Sequence, residues 1–126
     1  MAKTNRDTIS VNDCQILAHY KFEADQYILT LESQEIAKAT RPGQFVHLSV
    51  SGQLAMRRPI SVMSVDRDNG TFDLLYKIVG EGTRQLAERK IGDIVSVIGP
   101  IGNGFEMTEN KIPLLIGGGV GMPPII

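Results

Sequence analysis

The sequence predicts an all-β fold, a barrel or sandwich of six short strands with one short helix between the last two. Its 126 residues are enough for one domain with a real core, and the 42% hydrophobic and 21% charged residues are ordinary for a globular protein. Stretches of alternating, β-prone residues follow one another along the chain, separated by turn signals. Near the C-terminus this pattern changes, which predicts that an α/β segment begins there.

The first three strands are predicted from their alternation and from the turns between them. Ala24-Asp25 is expected to be a hairpin turn, and Arg41-Pro42-Gly43 has the composition of a tight turn. Between these turns, residues 33–40 are polar and are expected to be irregular. The predicted strands are, in chain order, 14–22, 26–31, 44–50, 60–65, 71–79 and 94–98.

The fourth and fifth strands are expected to pair antiparallel, because a strong hairpin signal joins them. Residues 66–70 end in Asn-Gly, which supplies the positive φ angles that tight turns need. After the fifth strand, Gly80-Glu81-Gly82 breaks the strand pattern. Residues 83–89 are helix formers, and Gly82 or Thr83 is placed to cap them.

The C-terminal part has a different composition from the strands. Residues 99–104 are expected to be a long turn, and 112–116 form a short apolar run. The run leads into the glycine-rich segment 117–124, as a buried parallel strand leads into a glycine loop and a helix that begins with proline. The loop spacing is not the usual G-x-G-x-x-G. We therefore predict a barrel domain over 1–108 and the truncated start of an α/β domain over 109–126.

Composition and residue spacing exclude several classes of function. The net charge of −1 gives no basis for binding nucleic acid or a membrane surface, and the one cysteine, Cys14, can form neither an internal disulfide nor a thiolate cluster. His19 and His47 are isolated and are expected to have packing or surface roles. We expect no metal site and no catalytic side chain. The polar N-terminus and the lack of a long apolar segment predict a cytoplasmic protein.

Two adjacent arginines, Arg57 and Arg58, stand at the mouth of the fourth strand and suggest a phosphate site. Arginine offers a planar fork of donors that suits phosphate, and Pro59 holds the preceding residue extended. Taken alone, the pair is also typical of a solvated strand end, and residues 80–83 are also typical of a plain helix cap. The predicted strand pairing brings the arginine fork, the Ser61 hydroxyl and the helix start together, which favours a shared pyrophosphate site.

Four motifs, in the same order within residues 41–124, resemble the ferredoxin reductase-like flavoproteins, whose barrel binds FAD and whose following domain binds NAD(P). They are most similar to the electron-transfer subunit of class 1B dihydroorotate dehydrogenase. The motifs are Arg57-Arg58-Pro59-Ile60-Ser61, 75–83, 99–105 and 117–121. The resemblance implies a six-stranded antiparallel Greek-key barrel in an FAD-dependent oxidoreductase of pyrimidine biosynthesis.

The resemblance also assigns residues to the cofactors. The superfamily motif Arg-x-Tyr-Ser falls on 58–61, so Arg58 and Ser61 would hold the FAD phosphate and ribityl groups. Ile60 stands where a flavin-facing tyrosine is common, and an aliphatic residue there agrees with the dihydroorotate subunit. Pro59 completes the motif. The other implied contacts are Leu75, Tyr76 and Lys77 along the flavin, Gly82 and Thr83 at the pyrophosphate, and Gly118, Gly119 and Gly121 at NAD.

The chain also departs from the pattern of this family. The cysteines of the family's [2Fe–2S] cluster and most of its NAD domain are not in this sequence, so only the FAD step is expected here. The implied partners are NAD(H) and a dihydroorotate dehydrogenase catalytic subunit in a hetero-oligomer. Two alternatives remain: the reductase subunit of another multi-component flavoenzyme, ferredoxin–NADP or sulfide-linked, and a non-catalytic barrel that serves only as an interaction module.

Overall fold

A computed structural model describes residues 9–49, 57–105 and 109–117, and the described residues form a closed, six-stranded antiparallel barrel. The strand order around the barrel is β1-β2-β5-β4-β3-β6, a Greek-key arrangement, so the predicted fold class is confirmed. The strands are β1 (Ser10–Phe22), β2 (Gln26–Glu32), β3 (Phe45–Leu48), β4 (Arg58–Asp66), β5 (Thr71–Lys77) and β6 (Ile94–Ile101).

The predicted hairpin turns lie where their residues indicated. Between β1 and β2, Ala24 and Asp25 adopt φ angles of 59° and 56° within one short 3₁₀ turn. Between β4 and β5, Gly70 adopts a φ of 68°, and its amide donates to the Asp66 carbonyl at 2.8 Å. The antiparallel pairing of β4 with β5 is therefore confirmed.

The expectation that 33–40 is irregular was wrong, and so was the expectation of a single helix. Helix α1 occupies Gln34–Ala39, and the Ser33 hydroxyl caps it by accepting from the Ile36 amide at 3.1 Å. Ile36 and Ala37 are fully buried. The segment looks polar because a six-residue helix turns only these two side chains into the core, while its cap and outer face are hydrophilic.

Helix α2 occupies Glu81–Ala87, two residues earlier than predicted, with Gly80 as its N-cap. The two helices close opposite ends of the barrel, because α1 follows the end of β2 and α2 follows the end of the antiparallel neighbour β5. Each helix inserts a buried aliphatic side chain, Ile36 or Leu86. The core cluster contains Cys14, Ile16, Leu29, Leu31, Ile36, Val46, Leu48, Ile60, Val62, Phe72, Leu74, Tyr76, Leu86, Val95 and Val97.

The expectation that residues 99–104 form one long turn was wrong in part. Residues 99–101 continue β6 through a cis Gly99–Pro100 bond and are not part of a turn. The described part of 112–117 contains no strand, and its apolar side chains are exposed, Ile112 by 97% and Leu114 by 85%. A strand needs a neighbouring strand to pair with, and the six described strands of the barrel already close on one another. The proposed boundary between 108 and 109 stays a prediction.

No helix in the described ranges is long and apolar enough to cross a membrane. Within the same ranges, no group of three or more His, Cys, Asp or Glu side chains could hold a metal ion.

Candidate functional site

Helix α2 is fixed at one end of the barrel by contacts at its N-terminal turn and at its buried face. The Thr83 hydroxyl accepts from the Val79 amide at 2.9 Å and from the Gly80 amide at 3.2 Å. Leu86 is fully buried in the barrel core. Because the first amides of a helix have no partner within it, the start of α2 presents backbone N–H donors beside the ends of β4 and β5.

The guanidinium of Arg58 lies directly against the start of α2. A Cβ atom added to Gly82 would stand 2.9 Å from the guanidinium carbon of Arg58 and closer still to Nε. A side chain at position 82 would therefore displace the arginine from its place against the helix start. The predicted meeting of Arg58 with the residues at the helix start is present in the structure.

Arg57 is held away from this meeting point. Its two terminal nitrogens donate to the backbone carbonyl of Ser96 at 2.9 Å and to the Ser96 hydroxyl at 2.8 Å. Ser96 lies on β6, so this fork ties the start of β4 across the barrel wall. From the sequence, Arg57 could be either a second phosphate contact or a solvent-exposed side chain. In the structure it has a third role, because it joins two parts of the barrel wall.

The charge at the start of α2 is compensated within the helix. Arg84 is hydrogen-bonded to both carboxylate oxygens of Glu81 and also pairs with Glu88 at 3.1 Å. The hydrogen bonds from Arg84 and then Gln85 lower the pKa of Glu81 to about 2. Glu81 stays ionised at neutral pH, but its charge is directed toward Arg84, so it opposes an anion at the helix start less than a bare carboxylate would.

The remaining residues of the arginine motif lie on two faces of β4. Ile60 shares a face with Arg58 and is 9% exposed in the barrel core, whereas Ser61 points to the opposite face, where it pairs with Phe45 of β3. Pro59 is exposed and opposite His47. The structure therefore brings Arg58 to the helix start and does not place the Ser61 side chain on the same face.

The three predicted residues of β5 differ in exposure. Leu75 is half-buried and Lys77 is exposed, but Tyr76 is only 3% exposed. The Tyr76 ring stacks on Tyr27 with centroids 5.3 Å apart, and its hydroxyl lies 2.7 Å from Nε2 of His19. Burial raises the pKa of Tyr76 and keeps its hydroxyl neutral.

Sequence reasoning gave His19 a packing or surface role and did not foresee its hydrogen bonds. Besides contacting Tyr76, its Nδ1 lies 2.9 Å from the backbone carbonyl of Arg89, just beyond α2. These contacts join residues 57 and 70 positions apart in the chain. No local pattern signals them, because they exist only once the barrel has closed.

Most of the glycine loop that is predicted to begin an NAD site lies outside the described residues. Gly117 is exposed at the end of the described residues. Gly118, Gly119 and Gly121 lie outside them.

The chain matches a known protein family and several known relatives. The oxidoreductase FAD-binding domain family matches residues 13–105. A relative from Bacillus mycoides (strain KBAB4), "Dihydroorotate dehydrogenase B (NAD(+)), electron transfer subunit", is 43% identical over 104 residues, which cover 79% of this chain and 40% of that protein. The chain thus spans less than half the length of the curated relatives it matches.

Two solved structures share the fold. The structure of an NADH-dependent reduced ferredoxin-NADP oxidoreductase is 32% identical with a TM-score of 0.70, covering 74% of this chain and 34% of that one. A ferredoxin reductase of carbazole 1,9a-dioxygenase is 25% identical with a TM-score of 0.79, covering 92% of this chain and 37% of that one. Because the family matches residues 13–105 and a relative is 43% identical over 79% of this chain, the chain belongs to the oxidoreductase FAD-binding domain family.

Proposed function

We propose that this chain binds FAD by its pyrophosphate between the Arg58 guanidinium and the backbone amides of Gly82 and Thr83. The observation that carries the proposal is the close packing of Arg58 on Gly82. A side chain at position 82 would fill the space in which a charged donor fork and free helix amides meet. Donors of both kinds are suited to phosphate oxygens, and they form charge-assisted hydrogen bonds there.

Each residue of the site has a distinct part in this arrangement. Arg58 supplies charge and directional donors, and its half-buried position strengthens both. Thr83 contributes its amide, because its hydroxyl already closes the turn at Val79 and Gly80. Tyr76 contributes through its backbone, since its side chain is buried and bonded to His19.

The outer parts of β4 and β5 complete the proposed cofactor site. Ser61 and Leu75 are half-buried and Lys77 is exposed, so these side chains are open to a ligand on the outer surface. Pro59 and Ile60 shape the strand that carries Arg58. Bound FAD would supply the electron-carrying ring, while the protein binds and orients it.

The proposed role of the whole protein follows its relatives. We infer an electron-transfer subunit that passes electrons between NAD and a dihydroorotate dehydrogenase catalytic subunit in pyrimidine biosynthesis. The 43% identity to relatives of that name supports this role. We infer that an NAD site begins at Gly118, Gly119 and Gly121 of this chain, and that a [2Fe–2S] cluster would be held by cysteines outside it.

A second candidate is a subunit that serves a ferredoxin–NADP reaction. The 32% identity to the ferredoxin-NADP oxidoreductase structure supports it. The two candidates share the FAD site and differ in the redox partner. The non-catalytic interaction module has no such support, because the matching family is one of oxidoreductases.

The first test is whether the protein retains FAD. After incubation with FAD and removal of free cofactor, we expect the visible flavin bands to remain with the protein. Dihydroorotate should then bleach these bands when a dihydroorotate dehydrogenase catalytic subunit is present and not without it. Protein that elutes without flavin would contradict the site, and bleaching by reduced ferredoxin alone would favour the second candidate.

A further inference from the structure

His19 forms a bridge between the barrel wall and helix α2. On one side, its Nε2 lies 2.7 Å from the Tyr76 hydroxyl on β5, and on the other its Nδ1 lies 2.9 Å from the Arg89 carbonyl. The imidazole also contacts the Tyr27 ring, with centroids 5.3 Å apart. Three strands and the segment just after α2 therefore meet at one side chain.

The directions of these hydrogen bonds follow from the partners. The Arg89 carbonyl can only accept, so Nδ1 of His19 must carry the proton and donate. In the neutral ring Nε2 is then the acceptor, and the Tyr76 hydroxyl donates to it. The chain of donors runs from Tyr76 through His19 to the carbonyl, and each bond polarises the next.

The carbonyl that receives this chain lies two residues beyond the end of α2. The Arg89 amide donates to the Leu86 carbonyl at 3.1 Å, so residue 89 continues the hydrogen bonding of the helix. A seven-residue helix does not hold its position in water by itself, and its orientation depends on tertiary contacts. Leu86 sets the depth of α2 in the barrel, and the Thr83 hydroxyl holds its first turn. The His19 contact adds a hold on the segment that follows the last turn of the helix.

We propose that His19 and Tyr76 are positioning residues for the FAD pyrophosphate site, acting through α2. Fixing the Arg89 carbonyl orients the helix, and the orientation sets where the Gly82 and Thr83 amides lie relative to Arg58. The helix is only about 10 Å long, so a shift of its end also tilts its first turn relative to Arg58. The inference rests on the proposed FAD site and adds residues that do not touch the cofactor.

The test compares two ligands on one set of variants. His19→Leu removes both hydrogen bonds. We expect FAD binding to weaken roughly tenfold, because the helix amides are then less well placed for the pyrophosphate. Riboflavin lacks the pyrophosphate, so its affinity should change little. His19→Asn keeps a donor at the place of Nδ1 and should restore part of the FAD affinity.

The control for general destabilisation is Cys14→Ala, because Cys14 is fully buried in the half of β1 that pairs with β6. An equal loss of FAD affinity in Cys14→Ala and His19→Leu, or an equal loss for riboflavin and FAD, would overturn the inference.

If His19→Leu does not fold, Tyr76→Phe removes only the hydroxyl and should give a smaller loss selective for FAD. Unchanged FAD binding in Tyr76→Phe would then overturn it. Loss of FAD binding in Arg58→Ala with none in the His19 variants would reject this inference and leave the proposed function standing.

Discussion

Arg58→Ala is expected to weaken FAD binding by about 100-fold, which corresponds to about 2.7 kcal/mol. A guanidinium that meets a phosphate makes charge-assisted hydrogen bonds, each contributing about 1.5–3 kcal/mol. Because Arg58 is half-buried beside Gly82, water is a poor substitute for the lost guanidinium. Titration of protein fluorescence or flavin fluorescence with FAD measures the change directly.

The neighbouring arginine provides a matched control for this prediction. Arg57→Ala removes the same number of atoms, but the lost bonds are those to Ser96. We expect Arg57→Ala to lower the free energy of unfolding by about 1 kcal/mol with FAD affinity nearly unchanged. Arg58→Lys should fall between wild type and Arg58→Ala, because lysine keeps the charge and loses the fork. If the two alanine variants bind FAD equally well, Arg58 is not the phosphate ligand.

Leu86→Ala is expected to lower the free energy of unfolding by about 3 kcal/mol and to weaken FAD binding as well. Leu86 is fully buried and is the side chain by which α2 enters the core. Its truncation leaves a cavity under a helix too short to stay in place alone. Chemical denaturation measures the loss of stability, and FAD titration under native conditions measures the loss of binding.

An exposed aliphatic residue just after α2 provides the control for Leu86→Ala. It distinguishes the loss of a buried side chain from the loss of aliphatic atoms as such. Ile91 is 68% exposed, so Ile91→Ala removes a similar number of methyl and methylene groups without making a cavity. It should change stability by less than about 0.5 kcal/mol. If Leu86→Ala and Ile91→Ala have the same free energy of unfolding, α2 is not anchored through the core.

The parts of the fold that could be predicted are those with a local cause. The Asn69-Gly70 turn joins two alternating strands, so it fixes the β4–β5 pairing and with it the approach of Arg58 to the helix start. The place of Gly82 at a helix start could be predicted because this glycine precedes a run of helix formers. Neither inference needed a contact between distant parts of the chain.

The parts that could not be predicted depend on distant contacts or on a weak local signal. Arg57 can bond to Ser96 only once β3 lies between β4 and β6. His19 can contact Tyr76 only when the barrel has closed. Helix α1 is short and its outer face is polar, so its periodicity is too weak to identify. The apolar run at 112–116 resembles a strand, but the barrel gives it no partner.

A crystal structure of the protein with FAD tests the central claim most directly. We predict that the pyrophosphate oxygens lie within hydrogen-bonding distance of the Arg58 guanidinium and of the Gly82 and Thr83 amides. Arg57 should remain bonded to Ser96. A pyrophosphate bound elsewhere, with Arg58 in contact only with protein or solvent, would contradict the account.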